Sequence, residues 1–432
     1  MKSKNSKQIL SIFLSLACFF LISWIPVSPV IAKSGHCWSR LGYLKGYFGE
    51  DISIVGNIAY VVNGDDLLIR DISNPSNPKH IGIFDIDDNT QDVVAVGKYV
   101  YVAADGLLII DVSSPSNPKE IGRYSKLGLA VNSLDVEGTR AYVTDGELKI
   151  IDISKPSDPK LLGRYGGNGA FSVDVVGTIA YVGDYFAGLN IIDVSNPKNP
   201  KRIGSIGVPG VPYNVTVVDG KAYVADGSDG LHIIDVSTPS KPKFLGGYDT
   251  PGKATGVSVS GDIACVADGN GGLLIIDVST PSSPRLIDTY NEKIEGFAMH
   301  AMDVAIVGTK AYVVGESFIS LHIIDIAKCA SNNGDFCECP DDNTAPTGCI
   351  SGTVLNASGK PLVGKTVRLK RTSPLTPGVQ KTIKTDSSGC YHFENLRNGT
   401  YRVWVKSCLK GGTKTAKISK GSKQDNMDFT CK

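Results

Sequence analysis

The sequence predicts an all-β protein, a seven-bladed β-propeller followed by a small β-sandwich of the immunoglobulin-like or prealbumin-like type. The first observation is that residues 230–248, GLHIIDVSTPSKPKFLGGY, recur along the chain with few changes. The second is that the aspartate of this phrase advances in steps of 40, 41, 41, 42, 42 and 48 residues, close to the period of a four-stranded blade. The third is that residues 348–432 lack the repeat and alternate apolar with polar residues between turn signals. The repeat aspartates are Asp71, Asp111, Asp152, Asp193, Asp235, Asp277 and Asp325.

The N-terminus, residues 1–32, has the pattern of a secretory signal peptide. Lysines precede a long apolar run from Ile9 to Ile25, and the small residue Ala32 offers a cleavage site. We therefore expect an exported protein, periplasmic, extracellular or at the cell surface, with no transmembrane segment once the signal is removed. An uncleaved anchor helix is the alternative, because the apolar run is near the lower length that spans a bilayer.

Residues 37–328 are expected to form the propeller. In one repeat, VTVV (215–218), KAYVAD, GLHIIDVS and KFLGGY follow one another as four strands of a meander. The aspartate that ends the third strand is expected to accept hydrogen bonds from the amides of the turn that follows. Because this aspartate occurs once in every repeat, the sequence favours a structural role for it over a catalytic one.

The two ends of the propeller are expected to meet. The seventh repeat runs into CASNNG after Lys328 without supplying a fourth strand, whereas residues 39–47, SRLGYLKGY, align with the fourth strand of other repeats. We expect residues 39–47 to complete blade seven, which removes an unpaired sheet edge. Cys37 and Cys329 then both fall in the turn between the third and fourth strands of that blade. This alignment predicts a disulfide between them.

The C-terminal module contains four further cysteines that predict disulfides in an oxidising compartment. Cys349 and Cys431 lie at the two ends of the module, and we expect them to pair. Cys390 and Cys408 lie almost equally far from the Asn-Gly turn at 398–399, and we expect a second bridge between them.

The segment that connects the two domains, residues 329–347, is a polar linker. Its Cys337 and Cys339 have no assigned partners. Zinc is the alternative for this pair, but only one residue separates the two cysteines and no histidine lies nearby. Cys265 replaces the tyrosine of an A-Y-V strand, which predicts a buried small hydrophobic residue.

Two resemblances follow from these motifs. The phrase L-x-I-I-D-V-S with a preceding A-Y-V-A-D-G resembles the LVIVD-repeat family, which implies a secreted or surface β-propeller of undefined function and no particular reaction. The pattern S-G-T-V, G-K-P-L-V-G, T-D-S-S-G-C-Y-H-F and L-R-N-G-T-Y in residues 348–432 resembles carboxypeptidase-regulatory and collagen-adhesin B-type modules. That resemblance implies a stalk or a binding accessory.

Charge is distributed unevenly between the two domains. From residue 348 onward the chain carries 16 Lys and Arg against 4 Asp and Glu, although the net charge of the whole protein is only +1. A basic sandwich could meet an anionic polysaccharide or lipid head groups. The alternatives are a solvated face or docking of the sandwich on the acidic propeller of the same chain. An exported protein with no nucleic-acid module is not expected to bind nucleic acid.

Enzymatic motifs are absent from the sequence. It contains no H-E-x-x-H, G-x-S-x-G or Walker loop, so we expect a protein that is not an enzyme. Acids in the loops from second to third strands could hold Ca²⁺ or a cationic ligand. Asp226, Asp268 and Glu316 are the calcium candidates, and no other cofactor is expected. The alternative is that Asp-Gly is turn chemistry.

The loop face of the propeller carries the residues that differ most between repeats. Tyr185, Phe186, Phe297, His300 and Phe318 lie in loops that open on this face, and we predict that they bind a protein or glycan. The sequence therefore predicts a secreted or cell-surface, monomeric, non-catalytic binding protein. The alternatives are a hydrolase or lyase in the propeller mouth, and carbohydrate or envelope binding by the basic sandwich.

Overall fold

The computed structural model contains almost only antiparallel β-structure. It describes residues 31–32, 36–46, 48–127, 131–294, 296, 298–316, 319–331, 348–356, 366–371, 380–384, 390–396, 399–405, 414–418, 423–424 and 429–431. None of the helices in these ranges is long and apolar enough to cross a membrane. The all-β class expected from the sequence is thereby confirmed.

The repeats fold into four-stranded antiparallel meanders, which we call units. Units one and two contain β3 (Asp51–Val55), β4 (Ile58–Val62), β5 (Asp66–Asp71), β6 (Lys79–Asp85), β7 (Asp92–Val96), β8 (Tyr99–Ala104), β9 (Gly106–Asp111) and β10 (Lys119–Tyr124). Units three and four contain β11 (Ser133–Glu137), β12 (Arg140–Thr144), β13 (Gly146–Asp152), β14 (Lys160–Val176), β15 (Ile179–Asp184), β16 (Gly188–Asp193) and β17 (Lys201–Ile206). They share the long strand β14, which is the fourth strand of one unit and the first strand of the next.

Units five to seven follow the same order. Units five and six contain β18 (Asn214–Val218), β19 (Lys221–Ala225), β20 (Leu231–Asp235), β21 (Lys243–Tyr248), β22 (Gly256–Ser260), β23 (Ile263–Ala267), β24 (Leu273–Asp277) and β25 (Arg285–Tyr290). Unit seven contains β26 (Ala301–Val307), β27 (Lys310–Gly315) and β28 (Ile319–Asp325). Its fourth strand is β2 (Ser39–Lys45), which pairs with β28 and carries the short β1 (Ile31–Ala32) on its outer edge.

The units form a closed cycle, because the first strand of each unit contacts the first strand of the next and β26 contacts β3. The hydrophobic core lies between neighbouring sheets. Leu67 and Ile69 of unit one pack with Leu108 of unit two, and the last contact in the cycle packs Leu68 of unit one against Ile323 of unit seven. We refer to this cycle as the ring. Burial between sheets explains why second and third strands are apolar at nearly every position.

The fourth strands lie at the outside of the ring, where a glycine permits close approach of the next unit. A methyl group at Gly82 would lie 2.0 Å from the carbonyl oxygen of Pro115 in unit two, so a larger residue could not be accommodated. The same contact with a proline carbonyl of the next unit occurs at Gly42, Gly122, Gly163, Gly204 and Gly246. Gly42 belongs to β2 and contacts unit one, which is the neighbour that a fourth strand of unit seven should have.

The repeat aspartates end the third strands as hydrogen-bond acceptors. Asp193 Oδ1 accepts from the N–H group of Ser195 at 2.9 Å, and the hydrogen bonds from the hydroxyl and N–H groups of Ser195 lower the pKa of the carboxyl group. Equivalent bonds of 2.8–3.0 Å occur at Asp71, Asp111, Asp152, Asp235, Asp277 and Asp325. The expected turn function of these aspartates is confirmed.

A disulfide between Cys37 and Cys329 joins the two ends of the ring, as predicted. The two Cα atoms are 4.9 Å apart across a sequence separation of 292 residues, and both side chains are buried. Cys329 lies on the short helix α1 (Ala327–Ser331). Cys265 is a buried free cysteine, and desolvation raises its pKa to about 12, which agrees with the expected hydrophobic role.

The C-terminal module contains two further sheets. Its strands are β29 (Gly348–Asn356), β30 (Thr366–Arg371), β31 (Gln380–Lys384), β32 (Cys390–Leu396), β33 (Gly399–Val405), β34 (Lys414–Ile418), β35 (Lys423–Gln424) and β36 (Phe429–Cys431). One sheet has the order β32-β29-β35 with β36 also on β29, and the other has the order β31-β30-β33-β34. Val367 and Val403 of the second sheet are fully buried.

The strand register of the module disagrees with the predicted Cys349–Cys431 bridge. Cys431 is the register partner of Asn356, whereas Cys349 is the partner of Lys423. Seven residues of extended strand, or roughly 23 Å, therefore separate the two positions, and a disulfide needs Cα atoms within about 7 Å. The position of the two cysteines at the ends of the module did not predict their proximity. Because β36 runs parallel to β29, Cys431 lies beside the end of β29 that is far from Cys349.

The remaining predicted disulfide stays a prediction. Cys408 lies outside the described residues, so the structure does not test its pairing with Cys390. Cys337 and Cys339 of the linker also lie outside the described residues.

Candidate functional site

A cavity of about 330 Å³ lies where the first strands of the seven units meet, and we call it the axial cavity. Every unit contributes to its wall. Acids contribute most of the charge, namely Glu50, Asp51, Asp92, Asp303 and Glu316, against the single base Lys253. The cavity is therefore electronegative.

The acids reach the axis because the first strands alternate polar with apolar residues. Asp51 begins DISIV and Asp92 begins DVVAV, so alternate side chains of these strands point away from the intersheet core. The same alternation puts Ser133 and Asp135 on one face of β11. Apolar side chains at these positions could not accept hydrogen bonds from the N–H groups of the neighbouring first strand.

Side chains join neighbouring first strands in place of a backbone ladder. Asp51 Oδ2 accepts from the N–H group of Val93 at 2.7 Å, and Asp92 Oδ2 accepts from that of Leu134 at 2.8 Å. Equivalent bonds recur around the ring. The N–H groups of Val175 and Val217 donate to Asp135 at 2.7 Å and to Asp174 at 2.6 Å. Those of Ile306 and Ile52 donate to Ser258 Oγ at 3.1 Å and to Asp303. These carboxylates therefore hold the ring together as well as line its axis.

Burial and mutual repulsion raise the pKa values of the axial acids. Desolvation is the main cause for Asp51 and Asp92, whose pKa values lie well above the usual range, and repulsion adds to it, from Asp303 for Asp51 and from Asp51 for Asp92. Desolvation raises the pKa of Asp303 to about 6. It also raises the pKa of Glu50, with a further contribution from Glu316. A cation in the cavity would relieve this repulsion.

Two aromatic rings form one side of the cavity wall. Phe171 and Tyr213 meet edge to face with ring centroids 5.2 Å apart. The ammonium nitrogen of Lys253 lies 3.9 Å from the centroid of the Tyr213 ring, a cation–π contact. The wall thus presents aromatic faces beside carboxylates.

Tyr185 and Phe186, which the sequence predicted to bind a partner, are exposed to 54% and 78%. Their rings contact each other edge to face at 5.1 Å. The loop is fixed by Asp184 Oδ1, which accepts from the N–H groups of Phe186 and Ala187 at 2.9 Å each. Tyr185 N donates to the carbonyl oxygen of Gly169, two residues before a ring of the cavity wall. We call Tyr185 and Phe186 the aromatic rim.

The structure describes some of the other predicted site residues and not others. Glu316 lies in the cavity wall, and its Oε2 is 3.8 Å from Nδ1 of His300, so these two predicted residues do meet. Phe297 and Phe318 lie outside the described residues. Phe48 is 53% exposed in the connection from β2 to β3 and was not predicted, because it falls between repeats.

The calcium candidates Asp226 and Asp268 are buried in turns and do not line the axial cavity. Asp268 accepts from Thr250 Oγ1 at 2.6 Å and from the N–H group of Gly252 at 2.7 Å, so both of its oxygens are used within the loop. Asp226 Oδ2 accepts from the N–H group of Gly210 at 2.8 Å. The geometry of both aspartates agrees with the alternative interpretation, in which they stabilise turns and do not bind calcium. Within the described ranges, no three His, Cys, Asp or Glu residues form a metal-binding group.

Family models match both parts of the chain. The LVIVD repeat matches residues 49–86, 88–126, 130–167, 166–207, 209–250, 251–292 and 298–335, and the carboxypeptidase regulatory-like domain matches residues 349–432. No curated protein matches the chain. Among solved structures, the computationally designed Ika8 protein has 10% sequence identity and a TM-score of 0.49, over 65% of this chain and 97% of its own.

Proposed function

The chain belongs to the LVIVD repeat family, and we propose that it is an exported, non-catalytic binding protein whose ring is a seven-bladed β-propeller. The closed cycle of four-stranded units supports the propeller, with each unit as one blade. We further propose that the two C-terminal sheets form a sandwich that serves as a stalk or accessory. The signal-like residues 1–32 and the buried Cys37–Cys329 disulfide support export.

The aromatic rim is the observation that carries the binding function. Two large aromatic side chains stand mostly in solvent beside the axial cavity, on a loop that Asp184 and Gly169 hold in place. Aromatic residues of low conformational freedom are the residues that most often anchor protein partners. A rigid exposed pair next to a charged cavity therefore favours capture of a protein or glycan on this face.

The acids of the cavity support a binding role more than a hydrolytic one. Asp51 and Asp92 accept backbone hydrogen bonds from the next strand, so they cannot turn toward a substrate without loosening the ring. Among the described residues of the cavity wall, Ser133 is the one serine, and its hydroxyl accepts from the N–H group of Val173 at 3.3 Å. Asp51, Asp92 and Ser133 are therefore poorly suited to act as a catalytic acid or nucleophile.

A binding screen on matched variants tests this function. The mature protein is tested against an immobilised oligosaccharide panel and a displayed peptide library, together with Tyr185→Ser/Phe186→Ser. Phe244→Ser is the control, because Phe244 is 55% exposed on the outer strand β21, away from the rim. We expect the double variant to lose at least about tenfold in affinity for the selected probe, and the control to keep its affinity, since the rim supplies the anchor.

Two results would contradict the proposal. Capture that survives in the double variant but disappears when residues 348–432 are removed would assign binding to the basic module, where Lys and Arg outnumber Asp and Glu by 16 to 4. Cleavage of the captured probe by the wild-type protein would show that the protein is an enzyme. A thermal transition unchanged in each variant establishes that affinity, and not folding, is compared.

A further inference from the structure

Lys253 shows which chemical group the axial cavity accommodates. Its ammonium nitrogen lies over the Tyr213 ring at 3.9 Å, and Phe171 stands edge to face with the same ring. Aromatic faces combined with nearby carboxylates are the typical surroundings of a bound ammonium group. The residue itself is exposed at the cavity mouth, so its long flexible side chain can leave this position at little cost.

The cavity wall carries more carboxyl groups than Lys253 can pair with. Five carboxylates line the wall against this single ammonium group. Among the described residues, Oε2 of Glu50 is buried and has no hydrogen-bond partner. A buried carboxylate oxygen without a partner is costly, and a donor that reached it would remove this cost. The cavity wall thus contains a hydrogen-bond acceptor for which the described residues supply no donor.

The size of the cavity limits the ligand. Its volume of about 330 Å³ is near the lower end of the range for ligand sites, which is roughly 300–1,000 Å³. One extended side chain fits within this space. The lysine of the protein's own wall is a direct example of such a side chain.

We propose that the axial cavity binds the ammonium group of a lysine side chain from a partner polypeptide, and that Lys253 occupies the site as an internal competitor until the partner displaces it. This inference rests on the proposed function, of which it names the ligand chemistry. The incoming ammonium group lies over Tyr213 and donates to Glu50. The aromatic rim contacts the backbone around that lysine.

Calorimetric titration with a blocked trilysine peptide tests the proposal, with the side-chain-acetylated peptide as the uncharged control. Lys253→Met removes the competing charge and keeps most of the stem, so we expect affinity for trilysine to rise at least about threefold. Tyr213→Leu removes the ring, and we expect a loss of about tenfold, within the range of a desolvated cation–π contact. Lys241→Met is the matched control, because Lys241 is an exposed lysine in the turn before β21, and it should leave affinity unchanged.

Asp303→Asn provides a second variant should Tyr213→Leu fold poorly. The amide keeps an acceptor for the N–H group of Ile52 while one negative charge is lost, so affinity should fall without a loss of thermal stability. Three results would overturn the proposal. They are no binding of trilysine, equal binding of the acetylated peptide, and weaker binding by Lys253→Met, which would mean that Lys253 does not compete with the peptide.

The same titration separates this inference from the proposed function. If the rim variant loses its selected probe while trilysine binds to none of the proteins, the binding face stands and only the lysine specificity is wrong. A triglucosamine probe that binds where trilysine does not would assign the site to an aminosugar and would also overturn the proposal.

Discussion

Replacing Asp174 by Asn is expected to stabilise the protein at neutral and mildly alkaline pH. Asp174 faces the axis from β14, and its Oδ2 accepts from the N–H group of Val217 at 2.6 Å. Burial, followed by repulsion from Asp135, raises its pKa from 3.8 to about 7. An asparagine side chain keeps an oxygen acceptor for Val217 and removes the buried charge.

The sign follows from proton binding. With a pKa of about 7 in the folded state and 3.8 when unfolded, the folded protein binds the proton more tightly. The unfolding free energy therefore falls as pH rises between these two values, by about 1.4 kcal/mol per pH unit. The interval from pH 5 to pH 7 corresponds to about 3 kcal/mol. The variant should lack this part of the pH dependence, so its advantage is present at pH 8 and small at pH 5.

Equilibrium urea unfolding at pH 5, 6, 7 and 8 measures the effect. Asp193→Asn is the control in the same unit, because the hydrogen bonds from Ser195 lower the pKa of this exposed carboxyl group and so reverse the sign. Asp193 stabilises the fold above its unfolded pKa, and its replacement should lower stability at pH 8. A wild-type unfolding free energy that rises from pH 5 to pH 8, or a loss of stability in Asp174→Asn at pH 8, would refute the reasoning.

Three further predictions follow from the ring and the module. Cys37→Ser in the Cys329→Ser background removes the closing disulfide and should lower the unfolding free energy by about 5 kcal/mol in the chain-entropy model, measured as the guanidinium midpoint; an unchanged midpoint would contradict it. Arg40→Met leaves Glu292, its buried partner at 2.8 Å, without the guanidinium group and should cost about 3–5 kcal/mol in urea unfolding, whereas adding Glu292→Leu should restore much of the loss. Residues 348–432 expressed alone in an oxidising compartment should give a cooperative thermal transition, and an insoluble or unfolded fragment would count against an independent module.

Much of the fold could be predicted because the informative residues recur at a fixed period. The aspartates, such as Asp193, act within a turn of a few residues, so their role follows from local chemistry. The Cys37–Cys329 disulfide also followed from the repeat, since alignment alone put both residues in equivalent turns. The register of β36 could not be predicted in this way, because the C-terminal module has no internal repeat against which to align Cys431.

The candidate site was predicted less well, because its parts come from different units and are not repeated. Tyr213 and Lys253 meet only because the loops that precede β18 and β22 are neighbours around the axis. Asp268 was predicted as a calcium candidate, but the hydroxyl group of Thr250 and the N–H group of Gly252 use both of its oxygens. One pattern in the sequence does point to the axis of the ring. The alternation of polar with apolar residues in the first strands, as in Asp51 and Asp92, indicates a polar axis.

The fourth strand of unit seven is also the first strand of the ring to be synthesised. β2 leaves the ribosome long before its partner in unit seven, because β28 follows almost three hundred residues later, as the 292-residue separation of the nearby disulfide indicates. The other sheets assemble from contiguous residues and can form as hairpins during synthesis. Closure is then a late step with a large entropic cost. Until it occurs, the edges of β2 and β28 that face each other in the ring are unpaired, so a nascent or truncated chain exposes two strand edges that favour aggregation.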